Sequence, residues 1–265
     1  DRSAFGKAQG FLHVPIASAL DINVSTSFYA PDRPWATFGN PDFYAGYLVL
    51  TLPLIFVLFI TGKKRHRWIL ISSGLLLLVN LYFTASRGGW LGFLVSLSVI
   101  GFVWKRDMSR AGFKKLLIGF LILLAGFGWM TRRTWLRPTE RLLIWRDTLS
   151  MGLKNPLGVG IGAFHIYFPR YASEELVKQL PQNRFIVNYA HNEFLETFAE
   201  TGFIGLFLFL WVIVTFFRTG AKRVKDAGPQ ERALATGFMA SGAGILAHNF
   251  FDVNMRFVIT TFLFY

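Results

Sequence analysis

Six runs without a charged side chain organise the chain: residues 43–62, 68–86, 88–104, 116–131, 202–217 and 233–251. At about 1.5 Å of rise per residue, each run as a helix crosses most of a hydrocarbon core roughly 30 Å thick. The pattern predicts six membrane helices, of which the fourth and fifth are short. Pro53 and the internal glycines do not oppose this, because membrane helices accept such residues where neighbours satisfy the freed backbone groups. The intervening segment 132–201 is polar enough to lie outside the bilayer. In it, Thr139 is placed to cap a helix from Glu140 to about Leu153, ended by Asn155-Pro156 and by Gly158, Gly160 and Gly162. A second helix is expected from near His191 into the fifth membrane run.

Composition agrees with the pattern. Of 265 residues, 53% are hydrophobic and 16% charged, and the mean hydropathy is +0.41, which excludes an ordinary soluble domain. The fold class expected is an all-α polytopic membrane protein. Its divisions are an extracytoplasmic segment over 1–42, four membrane helices over 43–131, a partly helical periplasmic loop domain over 132–201, and two C-terminal membrane helices over 202–265. The chain begins at Asp1 with neither a signal peptide nor a span before residue 43, and is expected to be part of a longer protein. There is no cysteine, so any chemistry uses oxygen or nitrogen groups.

A net charge of +13 raises the question of nucleic acid. The basic residues sit in loops between apolar runs, however, with no free-standing basic module, and lipid phosphates and topology account for them better. Lys63, Lys64, Arg65 and Arg67 form one group, Lys105, Arg106, Arg110, Lys114 and Lys115 a second, and Arg218, Lys222, Arg223, Lys225 and Arg232 a third. Six alternating crossings put all three on one side, and the positive-inside rule makes that side cytoplasmic. The turn at Arg87 and the segment 132–201 then lie outside. That segment is itself rich in arginine, and long loops weigh little in the orientation rule.

Several residues invite chemistry. On a helix starting at His191, Phe194, Leu195 and Phe198 fall within about 60° of the histidine, with Glu193, Glu196 and Glu200 opposite. His191 thus faces apolar surroundings, where it is either a neutral proton acceptor or a helix-start histidine bonded to a loop carbonyl. On the first loop helix, Arg141 shares a face with Ile144, Trp145 and Thr148 while Arg146 projects elsewhere. An inward guanidinium needs an anion, either a phosphate from outside the chain or a local carboxylate or carbonyl. Arg87, in the turn Ser86-Arg87-Gly88-Gly89, is either an anion ligand beside a tight turn or an interfacial arginine that snorkels. His248 and Asp252 have a spacing that metals use, but no third ligand accompanies them and a hydrogen-bonded pair is expected. No metal site and no cofactor is expected; the glycine run GVGIG lacks the lysine of a phosphate-binding loop.

Three passages together resemble the O-antigen ligase and O-antigen polymerase superfamily of bacterial envelope proteins. In HNEFLETFAETGFIG, His191-Asn192 is followed after nine residues by Gly202 and Gly205, the ligases' His-Asn and G-x-x-G pattern. RLLIWRDTLSMGLKNPLGVGIGAF from Arg141 is similar to the arginine segment of their large periplasmic loop, and SRGGW from Ser86 to their arginine at the outer end of a membrane helix. FGNPDFYAGYLVLTLPL from Phe38 also looks like the family's entry into its central helices.

The resemblance implies a GT-C-like glycosyltransferase of the bacterial inner membrane, active on the periplasmic side and needing no metal. It would move a glycan from a polyprenyl pyrophosphate donor to a sugar hydroxyl on a glycolipid or glycan acceptor. By correspondence His191 is the general base, and Arg87 and Arg141 hold the pyrophosphate. Asn192, Arg146, Gly202 and Gly205 are supporting candidates. Membrane lipids, upstream helices and partner subunits are the other partners implied. A polysaccharide polymerase, a bicarbonate-transporter-like relative and a structural subunit without activity remain as alternatives.

Overall fold

The computed structural model describes residues 38, 40–105, 109–131, 140–179 and 187–256. Thr139 and its expected cap, most of segment 1–42, and Arg106, Arg132, Arg133, Arg137 and Arg184 lie outside the described residues. Among those described the elements are all helical. In chain order they are α1 (Pro41–Thr61), α2 (Arg67–Thr84), α3 (Arg87–Trp104), α4 (Arg110–Thr131), α5 (Glu140–Lys154), α6 (Phe164–Tyr167), α7 (Glu174–Gln179), α8 (Glu193–Asp226) and α9 (Pro229–Asn249).

Four of these helices are long and apolar enough to cross a membrane: α1, α2 with the turn before it, α3 and α8. The protein is a multi-pass membrane protein. The apolar part of α4 is shorter, Leu117–Trp129. The fifth apolar run, expected to be short, is part of the longest helix, the 34 residues of α8. The sixth lies in α9, as long as α1 at 21 residues but less apolar than those four, with small residues at many of its buried positions.

That smallness has a packing reason. Helix α9 lies against both α1 and α3, with Gly237, Ala240, Ser241, Gly242 and Gly244 buried along it. A β-carbon on Gly92 of α3 would overlap the Gly244 carbonyl, so the two backbones touch. In a bilayer, where lipid is as apolar as leucine, such close approach is what makes helices associate. Hydroxyls add to it: Ser96 Oγ donates to the Ala240 carbonyl at 2.8 Å, and Ser241 Oγ to the Leu50 carbonyl at 2.7 Å. By contrast α2 and α8 turn large side chains such as Leu76, Phe83, Phe207 and Trp211 outward.

The segment from α5 to α7 forms a cap with its own core. Ile144, Met151, Phe164, Phe168 and Leu176 pack there with Ala199 of α8. Helix α8 begins at Glu193, not at His191, because Asn192 is its N-cap. Asn192 Oδ1 accepts from the amides of Phe194 and Leu195, both at 3.0 Å, satisfying two of the free donors at a helix start. His191 precedes the cap with φ +51°. The expected helical position of His191 is therefore replaced by a turn position, and its direction comes from that turn.

Helix α8 breaks at Gly202, whose φ of +67° and ψ of −164° are not helical. A β-carbon there would run into the Pro156 carbonyl and would lie 2.7 Å from Leu157 Cα, so only glycine fits. Across the break, the Phe203 amide donates to the Pro156 carbonyl at 3.0 Å. The residues after Gly202 become the apolar span, and those before it belong to the cap.

Candidate functional site

At one end of the bundle, helix ends meet. Asn40 caps α1, its Oδ1 accepting from the Asp42 amide at 2.7 Å. Ser86 caps α3, its Oγ accepting from the Gly89 amide at 3.2 Å. The start of α3 lies directly against the end of α9, since a β-carbon on Gly88 would stand 2.8 Å from His248 Cδ2. Asp42, Arg141 and Asp252 all act electrostatically on His248. The cap closes over this end, carrying His191 and Arg141 to it.

His191 is held from both sides. The Ala190 amide donates to Glu196 Oε2 at 2.6 Å, the Ala190 carbonyl accepts from Trp145 Nε1 at 3.0 Å, and Asn192 is fixed as the helix cap. The imidazole Nδ1 is 3.5 Å from Asp252 Oδ1. That distance, with Nδ1 lacking a partner of hydrogen-bond geometry, makes the pair an electrostatic contact. The histidine side chain is 37% exposed and the aspartate 7%, so the pair has one open and one closed side.

Arg141 reaches the same turn. Its Nη1 donates to the Phe251 carbonyl at 2.8 Å, one residue before Asp252. Ile144 and Thr148, predicted to share its face, are buried. One carbonyl uses one of five guanidinium donors. Asp252 is where the charges balance: burial pushes its carboxyl up, but His191, His248 and Arg141 together outweigh burial and hold it below the usual aspartate range.

Arg87 heads α3 beside Gly88. It is exposed, and neither a carboxylate nor a carbonyl among the described residues pairs with it. Arg146 turns away from this cluster to the cap, bonded to Asp147 at 3.3 Å and Glu175 at 2.9 Å. Gly202 makes the break in α8, and a β-carbon on Gly205 would collide with the Thr201 side chain one turn earlier. The structure thus brings His191 and Arg141 together on the Asp252 turn and sets the helix that Arg87 starts beside them, while Arg146, Gly202 and Gly205 serve the cap and the bend.

Two residues of this region were not legible as site residues. The sequence spacing pairs Asp252 with His248 on one helix. Helix α9 instead ends at Asn249, so the four-residue spacing no longer places the two on one face. No hydrogen bond joins them among the described residues, His248 Nδ1 is buried without a partner, and Asp252 faces His191. No motif or spacing in the sequence points to Arg256. It binds Glu193 Oε1 at 3.0 Å, Glu196 Oε1 at 3.4 Å and Glu200 Oε2 at 2.5 Å, and ties the segment after α9 to the first half of α8. Glu200 also accepts the Phe164 amide at 3.0 Å, so cap, helix and final segment share one buried network.

Among the described residues no group of three or more histidines or carboxylates is arranged to hold a metal ion. A groove of about 550 Å³ lies between Thr215–Arg223 of α8 and Glu231–Met239 of α9. It sits at the far end of these helices and takes no part in the cluster.

Neither the curated proteins nor the solved structures gave a match to the chain. The family model for O-antigen ligase matches residues 73–210, more than half of the chain. That stretch contains Arg87, Arg141, His191, Asn192, Gly202 and Gly205, and the protein belongs to the O-antigen ligase family.

Proposed function

We propose that this membrane protein transfers a glycan from a polyprenyl pyrophosphate carrier to a sugar hydroxyl, with His191 as the base. The observation that carries the reading is the convergence of His191 and Arg141 on the Asp252 turn. A proton acceptor and a cation stand there side by side, backed by one buried carboxylate. The acceptor hydroxyl gives its proton to the imidazole as its oxygen bonds to the anomeric carbon. The bond from that carbon to the pyrophosphate breaks, and the leaving group takes the electron pair. Direct displacement inverts the anomeric carbon. Pyrophosphate leaves readily once its charge is met, which is the task of the remaining donors of Arg141 and of Arg87, which pairs with no carboxylate or carbonyl among the described residues. Asp252 holds the imidazole in position and favours the imidazolium that forms.

The orientation follows from charge. With six crossings, the basic loops at Lys63, Lys105 and Lys222 face the cytoplasm. The cluster then opens on the periplasmic side of the inner membrane, where a lipid-linked donor presents its glycan. A glycolipid core as acceptor makes the protein a ligase, and a second lipid-linked repeat makes it a polymerase.

A turnover assay on purified protein with a lipid-linked glycan donor tests this. His191→Ala is expected to lose transfer roughly a hundredfold or more while retaining donor binding. Arg141→Ala is expected to weaken binding and turnover together. Wild-type turnover by His191→Ala removes the general-base role.

A further inference from the structure

One apolar row on α5 has no partner among the described residues. Leu142, Leu149 and Leu153 are separated by seven and four residues, which on an α-helix puts them within about 40° of one another. All three are exposed, opposite the face on which Ile144, Thr148 and Met151 are buried. The row does not end with the helix. In the loop that follows, Leu157 is 77% exposed and Ile161 86% exposed, among the most exposed large apolar side chains described.

This loop is fixed rather than loose. The Val159 amide donates to the Ala199 carbonyl at 3.1 Å and the Gly160 amide to the Glu200 carbonyl at 2.9 Å. Gly158, at φ +82°, lies so close that a β-carbon would overlap the Glu200 carbonyl. The backbone therefore holds Leu157 and Ile161 outward, and it does so at the Gly202 break, where the apolar span of α8 begins. Phe203 and Ile204, the first residues of that span, are exposed as well.

We propose that α5 and the loop after it rest on the bilayer, with Leu149, Leu153, Leu157 and Ile161 sunk into the leaflet on the His191 side. Lipid is the occupant because the row is continuous with the exposed start of the apolar span at Phe203 and Ile204 and meets it through the Pro156–Phe203 hydrogen bond. Its margin has the character of a headgroup boundary. Lys154 stands 5.6 Å from the Tyr171 ring centre and Arg170 5.2 Å from that of Tyr167, pairing cations with amphipathic rings as at membrane interfaces. Arg146 shares the face of the row, between Leu142 and Leu149, and is bound to Asp147 and Glu175, which draws its charge back to the cap. A stable protein partner covers roughly 800 Å² on each side, and a single row of side chains is a poor match for that. Because Arg141 stands on another face of the same helix, lipid contact sets the height of the cluster above the membrane.

The chain has no cysteine, so a single introduced thiol is unique. Ile161→Cys and, separately, Leu153→Cys are labelled with an environment-sensitive fluorophore in nanodiscs holding one copy each, with Glu174→Cys on the exposed side of the cap as reference. Lipids brominated near the headgroup end of their chains are expected to quench the labels at 161 and 153 by about half, and iodide at least threefold less than at 174. Iodide quenching at 161 and 153 equal to that at 174 overturns the proposal. So does an apolar emission that brominated lipid leaves unchanged, which would mean that protein covers the row.

Discussion

His191 Nδ1 and Asp252 Oδ1 stand 3.5 Å apart, although one residue precedes α8 and the other follows α9. The contact exists because α8 and α9 run as an antiparallel pair, so that the start of one and the end of the other share one side. Asp252→Asn keeps the shape and removes the charge. Its expected effect is a loss of turnover of about tenfold or more, with donor binding within about twofold of wild type. Equal losses in binding and turnover would assign Asp252 to the fold rather than to the histidine.

Asp252 also carries a stability consequence with a definite sign. Its carboxyl is held below the ordinary value, so the charge stabilises the folded state fully above the unfolded aspartate value of about 3.9. That contribution fades as pH falls through the lower folded value. The melting-temperature difference between wild type and Asp252→Asn should shrink as pH falls below about 4. A difference that vanishes near neutrality would show that the aspartate is not ionised in the folded protein.

Gly202→Ala meets two obstacles at once, a positive φ and the backbone of Pro156 and Leu157. The extended, positive-φ conformation of Gly202 is essentially confined to glycine and costs about 1–3 kcal/mol in another residue, and the overlap adds to it. A drop in unfolding free energy of at least about 2 kcal/mol is expected, read by thermal melting in detergent. A neutral substitution would mean that the loop at Pro156 moves away without cost.

Arg256 faces three buried carboxylates. Replacing it with alanine leaves them without their common cation, a loss of about 3–5 kcal/mol for a broken buried ion pair. Arg256→Lys should recover only part, because an ammonium cannot match the fork that spans Glu193 and Glu200. Full recovery by lysine would reduce the network to simple charge compensation.

Topology is testable with the same cysteine-free background. Lys64→Cys and Ser173→Cys should react with an impermeant thiol reagent from opposite sides of the membrane. Reaction of both from one side refutes the six-crossing arrangement.

Helix existence was largely readable because uncharged runs are a one-dimensional signal: α1, α2 and α3 lie close to where the runs place them. Helix α9 was readable as a helix, but its role at the centre was not, since small residues signal close packing without naming the partner. At the site, grouping Glu193, Glu196 and Glu200 on one face was sound, yet their cation, Arg256, comes from beyond α9. His191 was misplaced by two residues of helix: Asn192 is the kind of residue that caps a helix, and reading it so would have set the histidine outside. Asp252 was visible only as an i, i+4 partner, because the end of α9 at Asn249 is a tertiary outcome.

The central position of α9 has a consequence for biogenesis. It emerges from the ribosome after the helices that enclose it, α1 and α3, have entered the membrane. Until it arrives, the Leu50 carbonyl lacks the hydroxyl of Ser241, and Gly92 faces no backbone to pack on. The early helices must wait as an open pair, with their groove filled by lipid or held by the insertion machinery. Asp252 and Arg256 are translated later still. Helices α1 and α3 therefore supply the walls before α9 arrives, and the cluster is complete only when the segment carrying Asp252 and Arg256 locks in. A chain interrupted after α8 would be membrane-inserted, unlocked and a substrate for quality control.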